Sequence, residues 1–139
     1  MAFALLAALM AAAPARAAET YVLIRSSKNL TASLTQKQLR AMILGEQPEW
    51  DGGAGPVELV LHDAAGPDEE HLAGVFSVPV PAFRAKLRQA VFRGDLRRPQ
   101  QVNTDEEAIE RVRKHAGAIA VVRAASLSGA AGVAVLAIQ

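Results

Sequence analysis

The residues most able to do chemistry in this chain are histidines and serines, because its 139 residues include no cysteine. The lack of cysteine excludes thiolate metal sites and cysteine nucleophiles. The histidines do not form a helical zinc-binding pair, and no serine is flanked by the glycines of a nucleophile elbow. The residues in question are His62, His71 and His115, with the serine pairs Ser26-Ser27 and Ser126-x-Ser128. We therefore predict a protein that is not an enzyme and carries no metal or other cofactor.

One loop has the composition of an anion-binding segment. It runs from Asp63 to Asp68, between a predicted strand and a predicted helix. Free backbone N–H groups at a helix N-terminus attract anions, and a glycine lets the backbone approach a ligand closely. The residues that we predict to bind a ligand are His62, Asp63, Ala65 and Gly66.

Other residues of the same loop oppose anion binding. Pro67 lacks a backbone N–H, so one donor is missing. Asp68, Glu69 and Glu70 place negative charge where the anion would lie, although acidic residues at a helix start are usually partners of the helix dipole. A plain connecting loop therefore remains the alternative interpretation.

The densest positive stretch lies between residues 84 and 98, where six Lys and Arg side chains occur. Binding of single-stranded nucleic acid requires aromatic side chains for stacking as well as cations. Only Phe83 and Phe92 are near, and Phe83 belongs to the apolar helix face. We expect a solvated helix face and no nucleic-acid partner.

Alternating strands and helices must position these residues. Apolar runs predict strands, while Thr-x-x-Gln and Thr-x-x-Glu sequences predict helix starts as capping boxes. The predicted strands are Tyr21–Ile24, Val57–Leu61, Ala118–Val122 and Val133–Ile138. The predicted helices begin at Thr35, around Glu69, after Pro79 and at Thr104. The last of these helices is predicted to end at Gly117. This order predicts an α/β fold with helices on both faces of a sheet.

The first 17 residues resemble an export signal. An apolar run from Met1 to Ala13 is followed by Pro14 and by the small-x-small sequence Ala15-Arg16-Ala17, although no Lys or Arg precedes the run. The run is shorter than the ~20 residues that span a bilayer. We predict a signal peptide at 1–17, a periplasmic location, no stable membrane span after cleavage, and a single domain at 18–139 with a formal net charge of zero. A buried N-terminal helix is the alternative.

The order of several short motifs resembles a known family. The motifs are Leu34-Thr35-x-x-Gln38-Leu39-x-x-Met42-Ile43-Leu44-Gly45, then Trp50-Asp51-Gly52, Phe92-Arg93-Gly94, and Gly117-Ala118-Ile119. In this order and spacing the chain, from Tyr21 to about Val135, resembles the phosphate-type periplasmic substrate-binding proteins of ABC transporters, and most of all their short, single-lobe relatives. The resemblance implies one lobe of the type II periplasmic-binding-protein fold, with a mixed sheet of four to five strands.

The resemblance also implies a function, although this chain differs from the family at the phosphate-binding residues. Full-length members bind phosphate through an Arg and a Ser-Gly-Thr loop, where this chain has His62 and Ala65-Gly66-Pro67; short relatives carry an Arg where this chain has Asp68. We therefore expect weak binding of phosphate or another small oxyanion. The alternative is a degenerate interaction module of the cell envelope with no small-molecule ligand. The implied partners are an envelope protein or a second copy of the chain.

Overall fold

The structure, a computed structural model, describes residues 20–63 and 66–139. The predicted signal peptide at 1–17 and the predicted site residue Ala65 lie outside these ranges. The elements are β1 (Tyr21–Ser26), β2 (Ser33–Leu34), α1 (Gln36–Ile43), β3 (Glu58–His62), α2 (Pro67–Val75), α3 (Val80–Phe92), β4 (Gln100–Val102), α4 (Asp105–Lys114), β5 (Ala118–Arg123), a 3-10 turn (Ala124–Leu127), β6 (Val133–Val135) and β7 (Ala137–Ile138).

Five strands form one mixed sheet in the order β4-β3-β5-β1-β6. β3 runs parallel to β4 and β5, while β1 is antiparallel to both β5 and β6. β2 and β7 pair in a separate two-stranded parallel sheet. The predicted α/β class and strand number are confirmed.

Alternate residues of the central strands serve two hydrophobic clusters. On β5, Ile119 and Val121 pack into the cluster beneath α1, α2 and α3, while Ala120 and Val122 pack into the cluster beneath α4. β3 divides in the same way, with Leu59 on the first face. Helices therefore cover both faces of the sheet, as the sequence predicts.

The predicted helix start at Thr35 is confirmed in full. The Thr35 hydroxyl accepts the Gln38 N–H at 3.1 Å, and the Gln38 side-chain oxygen accepts the Thr35 N–H at 2.9 Å. Leu39 lies on the buried face of α1, and Gly45 follows the helix with a φ of +80°. The capping box thus fixes both the start and the orientation of this helix.

Two details of the C-terminal third correct the sequence prediction. α4 ends at Lys114, and Gly117 lies beyond its cap, where a Cβ would come within 1.9 Å of the Pro56 carbonyl oxygen. Gly117 is therefore required for close backbone approach and does not end the helix. The single strand predicted at Val133–Ile138 is two strands in different sheets, separated by the buried Leu136.

No helix in residues 20–63 and 66–139 is both long enough and apolar enough to cross a membrane.

Candidate functional site

The ends of four strands meet at one edge of the sheet. Because β3, β4 and β5 are parallel, their last residues His62, Val102 and Arg123 lie at the same edge. β1 runs the other way, so Tyr21 begins beside Arg123. Helices α2 and α4 both start here. A cavity of about 310 Å³ opens at this edge, between Tyr21, His62, Arg123 and the two helix starts.

The carboxylate of Asp68 occupies the N-terminus of α2. Asp68 is 2% exposed. Its Oδ2 accepts the His62 backbone N–H at 2.6 Å, and its Oδ1 accepts the Glu69 backbone N–H at 2.9 Å. Backbone N–H groups at a helix start bind anions, and here a side chain of the chain itself supplies the negative charge.

The imidazole of His62 lies between two carboxylates. Its Nδ1 is 3.2 Å from Oδ2 of Asp68, and its Nε2 is 2.8 Å from Oδ1 of Asp105. An ionised carboxylate only accepts hydrogen bonds, so both bonds form together when both ring nitrogens carry a hydrogen. The two carboxylates approach opposite nitrogens of the ring, so these three side chains do not converge on one point that a metal ion could occupy.

Asp105, at the first position of α4, accepts hydrogen bonds from three further donors. Its Oδ2 accepts from the Arg123 backbone N–H and Nε, both at 3.1 Å, and from the Ser126 hydroxyl at 2.6 Å. Burial alone would raise the pKa of Asp105, but the hydrogen bonds from Ser126, Arg123 and His62 outweigh burial and lower this pKa below its usual value. Asp105 is therefore a carboxylate at neutral pH.

The predicted site residues are placed differently from one another. His62 lines the cavity, and Gly66 caps α2 with an extended backbone. Asp63 is exposed, and its backbone N–H is already donated to the Val102 carbonyl at 2.7 Å. These assignments remain predictions, since no ligand contact tests them.

Four polar residues of this edge escaped the sequence prediction as site residues. They are Asp68, Asp105, Arg123 and Ser126. The available signal is an acidic residue in the first turn of each helix that follows a strand at this edge, Asp68 in α2 and Asp105 in α4. Interaction with the helix dipole accounts for Asp68, but it is incomplete for Asp105, which also joins α4 to β3 and β5.

The comparisons with known proteins bear on the fold of the chain. No family model and no curated protein sequence matches it. Solved structures do: an ABC-type phosphate transport receptor from Vibrio cholerae is 13% identical with a TM-score of 0.61, and the matched region covers 86% of this chain and 46% of that one. PstS from Borrelia burgdorferi is 15% identical with a TM-score of 0.61, and the matched region covers 87% of this chain and 47% of that one.

A third structure contains a ligand. This protein, from Clostridium perfringens and assigned as a phosphate ABC transporter substrate-binding protein, was solved with bound phosphate; it is 14% identical with a TM-score of 0.65, over 86% of this chain and 45% of that one. The chain has the fold of one lobe of a phosphate-type substrate-binding protein. It spans a little under half the length of these structures.

The polar side chains at this edge of the sheet form hydrogen bonds with one another. Ser126 donates to Asp105, and both ring nitrogens of His62 face carboxylates. Among the hydrogen bonds of the described residues, none joins a serine hydroxyl to an imidazole, as a nucleophile and its base require. The backbone N–H groups of His62 and Glu69 already donate to a carboxylate of the chain itself.

Proposed function

We propose that this protein is a non-catalytic interaction module of the cell envelope, exported by the segment 1–17, in which residues 18–139 form one domain with the phosphate-type lobe fold. The module does not bind an oxyanion. It acts through contacts of its surface with other envelope components.

The observation that supports this proposal is the Asp68 carboxylate at the start of α2. It accepts the backbone N–H groups of His62 and Glu69, the donors that an incoming oxyanion would need. Displacing it would leave a buried carboxylate without its partners, which costs several kcal/mol. Phosphate in the cavity would also lie near the exposed carboxylate of Glu106. Both effects weaken the binding of a dianion.

Calorimetric titration with inorganic phosphate tests the proposal. The protein without residues 1–17 should release no saturable heat at millimolar phosphate, and its melting temperature should follow that in an equal ionic strength of chloride. Saturable binding that His62→Ala abolishes would contradict it. Lys37→Glu, on the exposed face of α1, is a charge control outside the candidate site.

A second candidate function is weak binding of phosphate or a related oxyanion at the loop that contains His62, Asp63, Ala65 and Gly66. It is favoured by the half-exposed Arg123 guanidinium at the cavity and by the phosphate bound to the Clostridium perfringens protein of the same fold. The same titration separates the two functions, because this candidate requires saturation.

Export is tested separately. A reporter enzyme that is active only outside the cytoplasm, fused after residue 139, should be active with the full chain and inactive when residues 1–17 are deleted. Equal activity of both fusions would contradict export by this segment.

A further inference from the structure

Positive charge is concentrated in one short segment although the chain is close to neutral. Six of the fifteen Lys and Arg residues, but only one of the fourteen Asp and Glu residues, lie between positions 84 and 98. This segment includes most of α3 and the turn that follows it. Outside it the acidic residues are in excess, so the molecule has a strongly polarised surface.

Three exposed side chains of this segment lie on one stripe of α3. Arg84, Arg88 and Phe92 follow one another at intervals of four residues, which places them on the same helix face. Phe92 is 93% exposed, whereas Phe83 and Leu87 face the core. The stripe therefore has two cations and a protruding aromatic ring.

The turn after α3 adds three more cations within six residues of Phe92. The backbone N–H groups of Asp95 and Leu96 donate to the Ala90 carbonyl, which folds the turn against the last turn of the helix. Arg93 precedes this turn, and Arg97 and Arg98 follow it. We call Arg84, Arg88, Phe92, Arg93, Arg97 and Arg98 the arginine face.

Three of these five guanidinium groups have no acidic partner in the part of the chain that the structure describes. Arg84 pairs with Glu69, and Arg93 lies 3.4 Å from Asp95. Arg88, Arg97 and Arg98 make no such pair with any residue of 20–63 and 66–139. The face thus presents uncompensated positive charge around an exposed apolar ring.

We propose that the arginine face docks on an anionic phospholipid surface. Clusters of Lys and Arg on a helix are attracted to anionic lipids, and an aromatic ring beside them can enter the headgroup region. Guanidinium groups bind phosphate oxygens in pairs of hydrogen bonds, which suits lipid headgroups. The proposal goes beyond the interaction module proposed above, since it names a lipid bilayer as the contacted component.

A protein partner fits this face less well. A stable protein interface has an apolar core surrounded by a polar rim over about 800 Å² on each side. Phe92 is the only large hydrophobic residue of the arginine face, and the other exposed ones in the described residues, Leu30 and Val135, belong to other parts of the chain. A membrane surface requires no shaped apolar core, only cations and an insertable ring.

Co-sedimentation with vesicles tests the proposal. The protein without residues 1–17 should sediment with vesicles of 30% phosphatidylglycerol in phosphatidylcholine at low salt, and should not sediment with phosphatidylcholine alone. Each arginine near the surface contributes about fivefold in affinity, so Arg88→Glu, which changes two unit charges, should weaken binding about 25-fold. Phe92→Ser should weaken it about tenfold. Salt at 0.5 M should release the protein.

Matched controls identify the face. Leu30→Ser removes a second exposed apolar side chain, 89% exposed, in the loop after β1, and Lys37→Glu reverses an exposed charge on α1. Both should bind vesicles as the parent does. Circular dichroism melts should be the same for all four variants, because each changed side chain is exposed. No sedimentation with anionic vesicles, or equal losses in the controls, would overturn the proposal. Binding to polyglutamate without binding to vesicles would also overturn it and would assign the face to an acidic protein.

Discussion

Removing the Asp68 carboxylate should allow the start of α2 to bind phosphate. In Asp68→Ala the backbone N–H groups of His62 and Glu69 lose their charged acceptor at the start of α2. Hydrogen bonds to a charged group are worth about 1.5–3 kcal/mol each, so the free energy of unfolding should fall by about 3–5 kcal/mol. The freed donors and the helix dipole then favour an anion from solution.

The expected rescue follows from ligand linkage. If phosphate binds the variant with a dissociation constant of about 1 mM, 50 mM phosphate stabilises the folded state by about 2.3 kcal/mol. For a domain of this size that corresponds to a rise of about 8–10 °C in melting temperature, measured by differential scanning fluorimetry. Chloride at equal ionic strength should give no such rise.

Asp68→Asn is the matched control. It keeps the volume of the side chain and one acceptor oxygen, so it should continue to fill the start of α2 and should show little response to phosphate. The reasoning is refuted if Asp68→Ala shows no more stabilisation by phosphate than the parent protein, or if the parent responds equally.

Three further predictions concern stability. Burial lowers the pKa of His71 below its ordinary 6.5. The unfolded chain therefore binds more protons than the folded chain as pH falls through 6.5, so the folded state loses stability on acidification. Denaturant titrations at pH 7.5 and 5.5 should show this loss, and His71→Gln should reduce it. Gly117→Ala should destabilise the fold by about 2 kcal/mol, because its Cβ would overlap the Pro56 carbonyl oxygen; an unchanged urea midpoint would argue against this close contact. Thr35→Ala should cost about 1 kcal/mol by removing the acceptor of the Gln38 N–H, and thermal melts that match the parent would contradict that cap.

Local sequence signals predicted the elements well where one interaction decides them. The capping box at Thr35 predicts a helix start, and the apolar run from Ala118 to Val122 predicts a strand. The structure confirms both, as the start of α1 and as β5. The prediction of a single strand from Val133 to Ile138 was wrong, because a continuous apolar run does not indicate which strand each of its halves pairs with. β6 joins β1, while β7 joins β2, and Leu136 between them turns into the core.

The candidate site was only half predictable because it depends on strand register. His62 directly follows the predicted strand Val57–Leu61, and it lines the cavity. Nothing local to Asp105 shows that it will meet His62, 43 residues earlier. That contact follows from the parallel pairing in which His62 lies opposite Val102, three residues before Asp105. A sequence read one segment at a time cannot supply this register.

The same register explains why the edge contains carboxylates. Parallel strands place the N-termini of α2 and α4 side by side, so two positive helix-dipole ends and Arg123 face one small cavity. Such an edge favours negative charge. Here Asp68 and Asp105 supply it from within and bind His62 between them. Because their bonds already join α2 and α4 to β3, the edge is held together by the chain's own side chains, and the backbone N–H groups of His62 and Glu69 are not available to phosphate while Asp68 accepts them.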